Sequence, residues 1–292
     1  MSINNYQQIS NQTFTGERPL FKASSLELDN CTFIDGESAG KFADNISITN
    51  SNLGSKYLFW HATNITIKDT YFPEEGRASV WYADNITLQS SKVDAPKIFR
   101  DAQNITIVDT KVNNSNDTLW DCDNVTIKDS EFSGDYLLLH SNNISVENFT
   151  LDGNYSFQHV KNLVMRNVTI KSKDPFWNSE DITVYDSVIY GEYLGWYSKN
   201  LKLINCKIIG TQPLCYAKGL VLENCEMIDT DLAFEDSEVE ATITTSIESV
   251  KNPKSGTIRA KEIKELILDD DSIDMGGLQI VVEKETMEQY AV

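Results

Sequence analysis

The sequence lacks any apolar run long enough to cross a bilayer, which takes about 20 residues. Basic residues are few, with 25 Lys and Arg against 44 Asp and Glu. The formal charge of −19 at pH 7 repels phosphate backbones and anionic lipid. Nucleic acid and membrane surfaces are therefore excluded as expected partners. Cysteine is scarce too: five residues, an odd number with no close-paired framework, read as free thiols in a reducing compartment. The start, Met1-Ser2-Ile3-Asn4-Asn5-Tyr6, carries neither the basic nor the apolar block of a signal peptide, so a cytoplasmic location is expected. There is no Gly-x-Ser-x-Gly elbow, no phosphate-binding glycine loop and no His-Glu-x-x-His pair. No nucleotide, metal or other cofactor is expected.

What the sequence has in abundance is self-similarity. Asn45-Ile46-Ser47-Ile48 recurs as Asn64-Ile65-Thr66-Ile67, Asn85-Ile86-Thr87-Leu88, Asn104-Ile105-Thr106-Ile107, Asn124-Val125-Thr126-Ile127 and Asn143-Ile144-Ser145-Val146. It continues through Asn162, Asp181, Asn200 and Gly219, and successive copies begin 19 to 21 residues apart. Within each copy apolar and polar residues alternate over short stretches, which is the period of a strand. The Leu-x-x-Leu-x-Leu pattern of leucine-rich repeats and the six-residue period of hexapeptide helices are both absent.

The pattern predicts an all-β chain: a single-stranded right-handed parallel β-helix of about 12–13 coils, with three short strands per ~19-residue coil. One domain over residues 1–292 is expected. A partial coil or cap occupies 1–24, regular coils 25–236, and less regular coils with a C-terminal cap 237–292. Ile280 to Val292 should close the far end.

Stacking the copies turns letters into columns. Ile46, Ile65, Ile86, Ile105, Val125, Ile144, Leu163 and Ile182 form one apolar ladder. Phe33, Leu53, Phe72, Val93, Val112, Phe132, Leu151 and Ile170 form another. Asn45, Asn64, Asn85, Asn104, Asn124, Asn143 and Asn162 share one bend; Asn30, Asn50, Asp69, Asp109, Asp129, Asn148, Asn167, Asp186, Asn205 and Asn224 share a second. These columns read as turn geometry rather than as metal ligands. Cys31, Cys206 and Cys225 occupy a small inward position as core filler.

The coil pattern resembles the pectin-lyase-like superfamily of right-handed β-helices. The segments Gly16-Glu17-Arg18-Pro19-Leu20-Phe21, Arg77-Ala78-Ser79-Val80-Trp81-Tyr82 and Gly210-Thr211-Gln212-Pro213-Leu214-Cys215-Tyr216 are more specific. With Gly191 to Ser198 and Val250 to Ile258, they resemble a bacterial family described only as a domain of unknown function. That resemblance spans nearly the whole chain and implies a fold, not an activity. The wider superfamily holds polysaccharide lyases, glycoside hydrolases and sugar esterases, whose catalytic motifs do not map onto this chain, so that link is analogy.

The third stretch of each coil differs from the other two. All five tryptophans, Trp60, Trp81, Trp120, Trp177 and Trp196, fall in one column with Arg100 and Gln158. All three histidines, His61, His140 and His159, fall in the next, with Tyr82, Asp101, Asp121, Asn178, Tyr197 and Tyr216. The column just before the tryptophans, from Phe59 to Leu214, is apolar and belongs in the core. Alternation then turns the indoles outward. Ionisable groups resist burial, so a bend is expected that brings both columns to one solvent face. The rival reading turns some indoles into the core.

Such a face suits a glycan, because Trp and Tyr rings stack on sugar faces. The substrate-binding candidates are Trp60, His61, Trp81, Tyr82, Trp120, Gln158, Trp177, Asn178, Trp196, Tyr197 and Tyr216. The catalytic candidates are Arg100, Asp101, Asp121, His140 and His159. Two carboxylates ~5 Å apart suit retaining glycoside hydrolysis. Asp121 beside His140 suits a general base, and Arg100 a carboxylate clamp. Three functions compete: a glycoside hydrolase or polysaccharide lyase, a non-catalytic binding protein for a glycan or another protein, and a structural rod whose aromatic strip is buried in a homo-oligomer.

Overall fold

The computed structural model is all-β, a right-handed parallel β-helix with about 14 turns of ~19 residues. It describes residues 6–270 and 277–283, and the backbone of 289–290. The expected cap over Ile280 to Val292 lies largely outside them. Contacts group the chain into two compact units, Met1–Thr150 and Leu151–Val292.

In the first unit the long side of each coil is a six-residue or longer strand, as in Ser24–Asp29, Asp44–Thr49, Thr63–Lys68, Asp84–Gln89, Gln103–Val108 and Asp123–Ser133. All pair in parallel and in register, so Leu26, Ile46, Ile65, Ile86, Ile105 and Val125 sit directly over one another. A second side stacks Phe33 on Leu53, and Phe72, Val93, Val112 and Phe132 in turn. Every one of these side chains except Leu26 is at most 2% exposed. At about 1.5–3 kcal/mol for each fully buried apolar side chain, this interior column is the main stabilising term.

The second unit repeats the plan. Leu163, Ile182 and Leu201 are in register on one side, and Ile170, Ile189 and Ile208 on the other. Its last coils shorten, with Val239 over Gly256, and Ser246–Lys251 pairs in parallel with Glu262–Ile267. There Asn252, buried and left-handed, exchanges two hydrogen bonds with Asp269, donating Nδ2 to Oδ1 at 2.7 Å and accepting the Asp269 N–H at 3.0 Å.

The bends explain the Asn and Asp columns. Asn45, Asn64, Asn85, Asn104, Asn124 and Asn143 all have φ of 55–59°, and Asn30, Asn50, Asp69, Asp109, Asp129 and Asn148 have φ of 48–51°. Asn and Asp visit the left-handed region several-fold more readily than other non-glycine residues. Their amides also chain the coils together. Asn85 Nδ2 donates to Asn64 Oδ1 at 2.6 Å, Asn124 to Asn104 at 3.1 Å, and Asn104 to Asp84 at 2.6 Å.

Just inside the second bend runs a row that the sequence did not announce. Ser51, Thr70, Ser91, Thr110 and Ser130 are buried. Each hydroxyl donates to the carbonyl two residues before it, at 2.6–2.9 Å. Each accepts a backbone N–H from the preceding coil, at 2.9–3.5 Å. Cys31, Cys206 and Cys225 stand in the same place, their thiols donating to the same carbonyl position at 3.4–3.5 Å. These cysteines are rungs of a hydroxyl-type ladder as well as core filler. All five thiols are buried, and burial pushes those of Cys122 and Cys215 up to about 12.

Candidate functional site

The third side of the coil is the least strand-like. From Trp60 to Leu214 its named strands are Val80–Trp81 and Phe99–Arg100, which pair in parallel, and most of the remainder of that stretch is turn. The apolar column points in: Phe59, Val80, Phe99, Leu119, Leu138, Phe157, Phe176 and Leu214 are buried. The tryptophan column is half-buried. The column after it is left-handed, with φ of 48–59° from His61 through Tyr216. That one backbone conformation is the expected bend. It lets two consecutive side chains both reach solvent, where strict alternation would send one inside.

A further feature was not expected. Leu119, Leu138, Phe157, Phe176 and Leu214 also have φ of 59–64°. A left-handed conformation costs a residue with a side chain roughly 1–2 kcal/mol, which full burial of a Leu or Phe offsets. The consequence is a turned-over peptide. Phe59 N–H donates forward to Ser79, whereas Leu119 N–H donates back to Phe99 at 2.9 Å.

In the first unit the half-buried column forms one continuous stack. Lys41 Nζ lies 5.6 Å from the Trp60 ring, Trp60 stacks on Trp81 at 5.5 Å and 8°, and the Arg100 guanidinium sits between Trp81 and Trp120 at 4.9 and 4.4 Å. Each indole N–H donates to a carbonyl of the next coil: Trp60 to Ala78, Trp81 to Lys97 and Trp120 to Tyr136, at 2.6–2.8 Å. Outside it runs a second stack, Phe42 on His61 on Tyr82, at 4.9 Å and 11–14°. Phe42 and Tyr82 are 45% and 43% exposed.

These stacks modify the sequence expectation. The rings of this unit are displayed, but their faces cover one another, so they offer edges rather than platforms. Asp101, Asp121 and His140 follow in the outer column, all exposed. His140 Nδ1 lies 3.7 Å from Asp121 Oδ1, with both side chains about half exposed. Arg100 makes no ion pair with either carboxylate among the described residues, and its Nε is buried without a partner.

In the second unit the pattern breaks at one residue. Trp196 Nε1 donates to the Gln212 carbonyl at 2.7 Å, and Gln158 Nε2 donates to the Asp174 carbonyl at 3.3 Å, both in the manner of the first unit. Trp177 does not follow. Its ring meets His159 edge-on at 4.9 Å and 88°, and Tyr197 at 6.1 Å and 81°. Tyr197 stacks on Tyr216 at 4.9 Å and 12°, and Asn178 Nδ2 lies 3.0 Å from His159 Nδ1. Where a stacked pair would fill the space, a cleft of about 550 Å³ opens, lined by Gln158, Asp174, Trp177, Tyr193, Trp196, Tyr197 and Gln212.

The cleft is aromatic with polar groups at its margin, the usual composition of a small-ligand site. Burial holds the Asp174 carboxyl above its ordinary value, with Lys173 pulling it down less strongly. Tyr216 is pushed up to about 12, first by burial and then by Glu235, whose Oε2 accepts its hydroxyl at 3.2 Å.

The second-unit candidates divide accordingly. Gln158, Trp177, Trp196 and Tyr197 line the cleft, Asn178 and His159 lie behind Trp177, and Tyr216 backs Tyr197. Asp174, Tyr193 and Gln212 were missed. They belong to a column three residues before the tryptophans, with Tyr57, Asp117, Tyr136 and Tyr155. Its run of tyrosine and acid was a usable signal. Among the described residues no three His, Cys, Asp or Glu side chains form a metal-binding group.

Comparisons with known proteins bear on the fold. Residues 7–281 match the family described as "Protein of unknown function (DUF3737)". No curated protein matches the sequence. Among solved structures, the surface adhesin PfbA of Streptococcus pneumoniae is similar with a TM-score of 0.52 and 12% identity, over 96% of this chain and 91% of that one. The tailspike protein of E. coli bacteriophage HK620, solved in complex with a pentasaccharide, gives a TM-score of 0.40 and 8% identity over 95% and 72%. At 12% identity the likeness to the adhesin is one of fold.

Proposed function

The chain belongs to the family described as "Protein of unknown function (DUF3737)", and from its own geometry we propose that it binds carbohydrate through the aromatic corner of its coils. The observation that carries this reading is the cleft of about 550 Å³ around Trp177 and Trp196. Rings held edge-on to their neighbours leave a face for a pyranose, and the amides of Gln158 and Gln212 and the carboxyl of Asp174 stand at its rim. The test is a glycan array with wild type, Trp177→Ala and Trp196→Ala. Each variant should bind its best glycan at least roughly tenfold more weakly, because an aromatic contact of about 1.5 kcal/mol or more is lost. Wild-type affinity in both variants would refute the reading.

Two specific observations favour second readings. The proximity of Asp121 and His140 favours hydrolase or lyase chemistry in the first unit, with Asp121 orienting the imidazole and Asp101 and Arg100 alongside. Turnover of a bound glycan that is unchanged in Asp121→Asn and His140→Ala would dismiss it. The exposed Phe21 and Phe42 favour self-association through the first-unit stack. Mass by light scattering should then rise with concentration, and should fall back in Phe42→Ser.

A further inference from the structure

Along the tryptophan column five side chains spend a polar hydrogen in the same way. Trp60, Trp81, Trp120, Trp196 and Gln158 all donate to a backbone carbonyl 16 or 18 residues on. By that rule Trp177 would donate to the carbonyl of Tyr193. It does not, and its indole N–H finds no acceptor among the described residues. Its ring is instead held between His159 and Tyr197, each meeting it at nearly a right angle. An unspent donor therefore borders the same cleft whose existence depends on the break in the stack.

The charge at the cleft is equally specific. Asp174 is the only ionisable acid or base in the lining apart from the tyrosines. The neighbouring cation, Lys173, lies 3.4 Å from Glu192 and is engaged there. No lining residue is positively charged, and the chain as a whole carries −19. A second carboxylate in the cleft would face Asp174 with no cation to share. A neutral hydroxyl would instead give a partly desolvated carboxylate the donor that it lacks.

We propose that the cleft takes one uncharged sugar residue, with Trp177 Nε1 as donor to a sugar oxygen and the Asp174 carboxylate as acceptor from a hydroxyl, and that Asp174 turns acidic sugars away. This rests on the carbohydrate reading above and adds the ligand's charge and the two atoms that read it.

The experiment is calorimetric titration with neutral hexose and N-acetylhexosamine oligomers, beside galacturonate and glucuronate oligomers of the same length. Wild type should bind at least one neutral oligomer and prefer it over the acidic ones by tenfold or more. Trp177→Phe keeps a ring but removes the N–H, and should weaken the neutral oligomer by roughly three- to tenfold, the effect of one hydrogen bond. Asp174→Asn should narrow the neutral-over-acidic preference to less than threefold. In ¹H–¹⁵N spectra the indole N–H resonance missing from Trp177→Phe should shift when wild type receives the neutral oligomer. Failure of every oligomer to bind wild type would remove the carbohydrate reading and this inference together. Binding lost in Trp196→Ala, but unaffected by Trp177→Phe and with its charge preference unchanged by Asp174→Asn, would leave that reading standing and overturn this inference alone.

Discussion

Arg100 shows how a single residue can be well contacted and still contribute little. Two indole faces at 4.9 and 4.4 Å favour its guanidinium by about 0.5–2 kcal/mol each. Against that, a buried Nε without a partner costs about 1–3 kcal/mol. The two effects are of the same size. Arg100→Met, which keeps the length, lies against both rings and buries no donor, is expected to match wild type within about 1 kcal/mol. Arg100→Ala opens a gap between Trp81 and Trp120 and should cost about 2 kcal/mol. Denaturant midpoints decide this, and a loss above about 2 kcal/mol in Arg100→Met would mean that the guanidinium is a net stabiliser. The same residue marks a limit of sequence reading. Its column was evident from spacing alone, but its position between two rings was not, because spacing carries no information about side-chain rotation.

Among the elements, legibility followed regularity. The first two sides of each coil alternate apolar and polar residues, and Ile65 over Ile86 or Phe72 beneath Val93 follows from that alternation and the repeat spacing alone. The bends were legible as Asn and Asp because these two adopt φ near 55° several-fold more readily than other residues with a side chain. The hydroxyl row was missed because Ser and Thr at small positions look like spacers. Its importance can be measured. Ser91→Ala removes the acceptor of the Thr70 N–H in a buried bend. It should lower stability by about 1–3 kcal/mol, whereas Ser91→Cys, imitating Cys206 and Cys225, should lose less. Equal losses would show that the hydroxyl is filler. The cleft was illegible for a different reason. It is made by the absence of one repeated contact at Trp177, and an absence leaves the spacing of residues unchanged.

At the scale of the whole molecule the bends impose a pH limit. Asp44 is held below its ordinary 3.8 by Thr63 and then Asn64, Asp29 by Asn50 and then Thr49, and Asp94 first by the Tyr71 hydroxyl. A carboxyl lower in the folded chain than in the unfolded one stabilises the fold above the unfolded value. That stability disappears as pH falls through the folded value. The protein should therefore keep its midpoint down to about pH 4 and lose it below. In Asp44→Asn/Asp94→Asn the decline between pH 4 and 2 should be shallower. Parallel curves for the two proteins, followed by circular dichroism, would show that these carboxyls are not the cause.

One coil is longer than its neighbours: Asn64 and Asn85 lie 21 residues apart, with the short 3-10 turn Glu74–Gly76 between them. Ile65 nevertheless pairs with Ile86 in the common register. Extra length has thus been absorbed at a corner without disturbing the pairing on either flank. A peptide epitope or a fluorophore tether spliced in at Glu74–Glu75 would extend a detour that the backbone already makes, whereas a graft of odd length inside Asp84–Gln89 would turn the remainder of that strand over.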